Sequence, residues 1–154
     1  MGEVVVIGVG NPERGDDGVG WEVVSRLEGV LPPGVRTVRT SGADPASLME
    51  AWRGAGSAVL VDAMVSGVEP GTVARFDAGA APLPSGTRLV STHALGAQAA
   101  IELARALEAL PGRLCVIGVE AASFEPGSGL SRAVAEGAAA AANAVLDEIR
   151  VGVA

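Results

Sequence analysis

Two adjacent carboxylates, Asp16 and Asp17, follow a Gly-rich turn in the run GVGNPERGDDGVG at residues 8–20. A third acid, Asp62, closes the apolar run AVLVD, and His93, the single histidine, follows Val90-Ser91-Thr92. Asp17, Asp62 and His93 each fall at the expected end of a strand, and in open α/β sheets ligands bind outside the carboxyl ends of the strands. A carboxylate buried there costs desolvation energy unless it is paired, hydrogen-bonded or metal-bound. An imidazole at a helix start is disfavoured as imidazolium by the helix dipole, and the neutral ring is the form that a metal or a general base needs. Asp17, Asp62 and His93 therefore make a carboxylate–imidazole set suited to Zn, Ni, Mn or Fe. Three protein ligands leave positions open for water or a substrate group, so the set reads as a binding or catalytic centre. Asp16, Asn11 and Gly42 are the neighbouring candidates for substrate contact: an acid, a hydrogen-bonding amide, and a glycine that lets a ligand approach the backbone.

Blander readings exist for each residue. Asp16 or Asp17 can cap the helix that follows, Asp62 can cap a loop, and a lone histidine often lies on a surface. A capped turn explains one acid but not two. A dinucleotide site fits poorly, because Glu13 stands where GxGxxG requires its third glycine and the acids crowd the place of a pyrophosphate. Ser91 and Ser123 are not in a nucleophile-elbow sequence. Cys115, the single cysteine, lies in the apolar run LCVIGV and reads as a core thiol that forms no intrachain disulfide.

The elements that must hold these residues alternate along the chain. Strands are expected at residues 3–9, 35–40, 57–63 and 113–119, with a weaker edge strand at 72–77. Helices are expected at about 17–29, 46–53, 93–109 and 130–150, with Asp44 or Ser47 capping the second and Thr92 the third. Val19, Val23 and Leu27 share one face of the first helix, with Val24 beside them. Residues 64–71, 78–91 and 120–129 read as loops, the second returning to the core at Arg88–Val90. This order predicts an α/β fold: a three-layer α/β/α sandwich with a mostly parallel twisted sheet of about five strands, one domain over residues 1–154.

Composition agrees with that class. Hydrophobic residues make up 49% of the chain and aromatics only 3%, so the core is built from Val, Leu, Ile and Ala. All eleven basic residues are Arg, which excludes a Schiff-base or P-loop lysine. A net charge of −7 disfavours nucleic acid and anionic membrane as partners. Met1 leads into a strand without a basic signal region, and no apolar stretch has the length of a membrane span, so a cytoplasmic location is expected.

The pattern GxGNxxxxDDGxG, the VDA at 61–63, the STHALG at 91–96, and VIGVE followed by FEPGSGLS before a closing helix resemble the hydrogenase maturation endopeptidases. These are the processing proteases of [NiFe]-hydrogenase large subunits, and the resemblance runs in order along essentially the whole chain. It implies an α/β/α sandwich around a five-stranded sheet. It also implies removal of a short C-terminal extension from the large-subunit precursor after nickel insertion. The family's metal-contacting positions correspond to Asp17, Asp62 and His93. The first is often Glu, so Asp17 is shorter by one methylene. The resemblance further implies that the nickel is supplied by the precursor, with Zn or Cd able to take its place. Two other classes stay open: a small-molecule metallohydrolase with its own metal, and a non-enzymatic nickel-dependent maturation or binding protein.

Overall fold

β-Branched runs form the centre of the sheet. In the computed structural model, which describes residues 2–42, 44–90 and 96–153, the run EVVVIGV becomes β1 (Glu3–Val9). Beside it run β2 (Val35–Thr40) and the long β3 (Ala55–Val65), followed in the sheet by β6 (Arg113–Glu120) and β4 (Val73–Asp77). The order is β2-β1-β3-β6-β4, with the two-residue β5 (Arg88–Leu89) added on β3. β1, β2, β3 and β6 are mutually parallel, whereas β4 and β5 run antiparallel to their partners. The edge position expected for residues 72–77 is where β4 lies.

Strand alternation sends side chains to two helical layers. Val5, Ile7, Leu60 and Met64 face α2 (Pro45–Ala51) and α3 (Ala97–Ala106), meeting Leu48, Ala100 and Ile101. Val4, Val6, Val59, Val61 and Ile117 face α1 (Val19–Leu27) and α4 (Arg132–Val153), meeting Val23, Leu27, Ala138 and Val145. Each fully buried aliphatic side chain contributes roughly 1.5–3 kcal/mol. Val19, Val23, Val24 and Leu27 of α1 are all buried, as their spacing predicts.

Several boundaries differ from expectation. α1 starts at Val19 without a side-chain cap, because Asp16 and Asp17 sit before it in a 3-10 turn over Gly15–Gly18. β3 extends to Val65, so Asp62 lies inside the strand rather than at its tip. Residues 88–89, expected within a loop, pair with Met64 and Val65 as β5. α3 runs from Ala97 to Ala106, shorter than the expected 93–109, with Gly96 rather than Thr92 at its cap. Asp44 caps α2 as expected, accepting the Ser47 amide at 2.8 Å. No helix among the described residues is long and apolar enough to cross a membrane.

Candidate functional site

A split in the sheet frames the site. β1 pairs with β3 through Gly8↔Val61, and β5 pairs with β3 from Met64↔Leu89 onward. The Val90 amide extends that second ladder by donating to the Ala63 carbonyl at 3.0 Å. Asp62 lies between the two stretches, where two chain segments leave β3 in different directions. Such a divergence at the carboxyl side of parallel strands is where α/β sheets place ligands. Alternation puts Asp62 on the face of Leu60 and Met64.

Asp17 is brought to the same place by close backbone packing. Gly10 is at φ +144°, and a Cβ built there would lie 1.9 Å from the Asp17 carbonyl oxygen and 3.4 Å from Asp17 Oδ1. At Gly20 a Cβ would stand 2.5 Å from the carbonyl oxygens of both Val9 and Val61. The glycines of GVGNPERGDDGVG thus let the turn and α1 press onto β1 and β3, where any side chain would hold them apart. The Asn11 amide donates to both the carbonyl and Oδ2 of Asp17, each at 3.2 Å.

The electrostatics of Asp17 and Asp62 are unusual. Both are buried, and Asp17 Oδ1 and both carboxylate oxygens of Asp62 have no hydrogen-bond partner among the described residues. Burial lifts Asp17 to about 6, against smaller lowering effects of the Asn11 amide and the Arg14 charge. Burial, and then the charge of Asp17, push Asp62 well above the usual carboxylate range, against the Ala63 amide. Two unsatisfied buried acids that repel each other invite either a shared proton or a cation between them. A carboxyl titrating near neutrality also suits proton transfer at physiological pH.

The other expected residues divide. Asp16 was expected to touch substrate. Instead it is fully buried, and its oxygens accept the amides of Ala122, Ser123 and Ser131 and the Ser131 hydroxyl. Asn11 Oδ1 accepts the Glu13 amide at 2.9 Å, and its own amide serves Asp17. Gly42, at φ +71°, is buried with Val9 Cγ1 2.7 Å from where a Cβ would be, so its glycine is explained by packing on β1. His93, like Thr92 and Ser91, lies outside the described residues. Among the described residues no cluster of three or more metal-ligating side chains forms.

One acid was missed in the sequence. Glu120 ends β6 nearly buried and accepts the Ser66 amide and hydroxyl and the Gly67 amide. Its signal was available: like Asp62, it closes an apolar strand run. The half-buried Cys115 thiol is pushed up to about 12, chiefly by burial, which keeps it protonated and unreactive. It lines a cavity of about 460 Å³ with Ser57, Arg75, Asp77 and Glu148 at the amino ends of the parallel strands, opposite the split.

Comparison with known proteins places this geometry in context. The family model for hydrogenase maturation protease matches residues 21–148. The hydrogenase expression/formation protein HupD of Thiocapsa roseopersicina is 30% identical over 132 residues, covering 84% of this chain and 59% of that protein. The chain spans about three-fifths of the length of the curated relatives it matches. Among solved structures, the hydrogenase maturating endopeptidase HybD from E. coli superposes with a TM-score of 0.80 at 28% identity, over 96% of this chain and 92% of that one. The [NiFe] hydrogenase maturation protease HybD from Thermococcus kodakarensis gives 0.73 at 27% identity, over 94% and 97%.

Proposed function

This chain belongs to the hydrogenase maturation protease family, and from that premise we propose that it is the cytoplasmic endopeptidase that trims a [NiFe]-hydrogenase large-subunit precursor. It removes the precursor's C-terminal extension once nickel has been inserted. The observation that carries this reading is the trio of buried carboxylate oxygens on Asp17 and Asp62 that have no hydrogen-bond partner among the described residues. Oxygens left in that state at a split in the sheet are suited to a hard or borderline cation that comes from outside.

In this reading nickel is part of the substrate. It arrives held by the precursor, and Asp17, Asp62 and His93 complete its coordination. His93 is three residues beyond Val90, whose amide bonds to Ala63 beside Asp62. Docking through the metal makes nickel a check on the precursor: a large subunit without it lacks the group the acids recognise. A carboxylate oxygen of the Asp17–Asp62 pair not engaged by the metal then accepts a proton from the water that attacks the scissile peptide and passes it to the departing amine nitrogen. Asn11, whose amide holds Asp17 Oδ2, keeps that carboxylate aimed.

The test is intact-mass analysis of nickel-loaded precursor incubated with the protein, beside nickel-free precursor and a His93→Ala variant. Loss of one C-terminal peptide, only with nickel and only with His93, is the expected result. Tight association without mass change would replace the reading by a nickel-dependent binding protein. Stoichiometric zinc or manganese in the purified protein, with no action on precursor, would replace it by a metallohydrolase of small molecules.

A further inference from the structure

The two acids of the GDDG turn are consecutive, yet of the two only Asp17 has a carboxylate oxygen, Oδ1, without a partner among the described residues. We infer that Asp16 is a positioning residue: by gripping the segment 122–131 it fixes the rotation of the 3-10 turn, and so the direction in which Asp17 presents its free oxygen. The functional value of that direction rests on the reading proposed above.

The grip is extensive. Asp16 accepts from the Ala122, Ser123 and Ser131 amides at 2.8, 3.0 and 2.7 Å and from the Ser131 hydroxyl at 2.9 Å. Its own amide returns a bond to the Ser123 carbonyl at 2.9 Å, and the Gly127 amide bonds the Glu13 carbonyl at 2.9 Å. Gly15 is pressed so close that a Cβ there would lie 2.8 Å from the Ser123 carbonyl oxygen. The turn is therefore zipped to a segment more than 100 residues away in sequence. None of these bonds serves as a helix cap for the turn or for α1. Within the turn, the Asp17 amide donates to the Arg14 carbonyl at 3.1 Å. A backbone so closed moves as one piece, and the Asp16 carboxylate is its anchor. Rotation of that piece would carry Asp17 away from the Asn11 amide.

The Asn11 amide is the reporter, because it bonds Asp17 through both carbonyl and carboxylate. Amide hydrogen exchange would be measured in Asp16→Asn, Ser131→Ala and Ser131→Thr. Exchange at Asn11 should quicken at least tenfold beyond any change at Val59 and Leu60 in Asp16→Asn, less in Ser131→Ala, and return with the hydroxyl in Ser131→Thr. If Asn11 and the strand amides change in the same ratio, the contact is merely structural and the inference is overturned. Should Asp16→Asn not fold, the Ser131 pair decides the matter alone. Cadmium titration separates this inference from the reading it rests on. Wild type binding cadmium tenfold more tightly than Asp16→Asn supports positioning, and equal binding by both overturns it. Wild type taking up no cadmium sinks the cation reading of the site, and the exchange result still decides the role of Asp16.

Discussion

Asp16 and Glu120 are buried as deeply as Asp17 and Asp62, and all four stand toward the carboxyl ends of the parallel strands β1, β3 and β6. The first two are saturated: Asp16 by donors from 122–131, Glu120 by Ser66 and Gly67. The second two leave three oxygens with no partner among the described residues. The cost of taking each carboxylate out of water is similar. What differs is whether the fold supplies donors. Saturated acids act as clamps that tie loops to strands. Acids without donors destabilise the resting protein, and that cost is what the proposed function turns to use.

That contrast predicts opposite outcomes for similar substitutions. The largest effect belongs to Asp62→Asn, which keeps the volume and removes the charge. Processing of nickel-loaded precursor should fall about 1000-fold, a loss of roughly 4 kcal/mol in the barrier. The melting temperature at pH 7 should not fall, since neither Asp62 oxygen has a well-formed hydrogen bond among the described residues. Processing within tenfold of wild type would break the comparison. Next is Asp16→Ala, which removes the acceptor of three backbone amides, those of the exposed Ala122 and Ser123 and the half-buried Ser131. Urea unfolding should show a loss of about 3 kcal/mol, at roughly 1 kcal/mol for each hydrogen bond lost. Unchanged stability would show that Asp16 is no clamp.

The sequence carried the fold more fully than the division among its acids. The apolar runs of β1, β3 and β6 and the helical spacing of Val19, Val23 and Leu27 declare their elements, because strand and helix periods are local. The Asp44 cap was legible for the same reason. Asp17 and Asp62 were readable as a pair because each follows an apolar run that must enter the sheet. Nothing local distinguishes Asp16 from Asp17. Their difference lies in Ala122, Ser123 and Ser131, donors from a distant segment. The room that Gly42 leaves is filled by the Val9 side chain of β1, a contact that no local pattern announces. β5 was hidden because two residues show no period.

The pH dependence of stability sharpens the contrast with a smaller effect. The folded chain holds the Asp17 proton up to about 6, whereas the unfolded chain releases it near 3.8. Across that window the folded state binds more protons, so stability falls as pH rises. Lowering the pH from 7 to 5 should therefore stabilise wild type by about 1 kcal/mol more than Asp17→Asn. Urea unfolding of both proteins at the two pH values measures the difference. An equal response would mean that Asp17 is not the unsatisfied acid described here.

The smallest effect tests whether that acid is tuned from its own loop. Arg14 is exposed, and its charge is one of the two influences that lower Asp17 against the larger effect of burial. Arg14→Gln removes the charge and leaves in place the backbone bonds that Arg14 makes to Asn11 and Asp17. The Asp17 titration, followed by carboxyl carbon shifts, should move upward, by less than burial has already moved it. Glu13 stands beside Arg14 in an acidic loop, so the same change makes the rim more negative. Solvent and salt screen a charge at the surface, so the shift should shrink as ionic strength rises. Burial of Asp17 is not screened, and the main elevation should persist in high salt. A titration that collapses toward 3.8 in salt would instead assign it to surface charge and remove Asp17 from the unsatisfied pair.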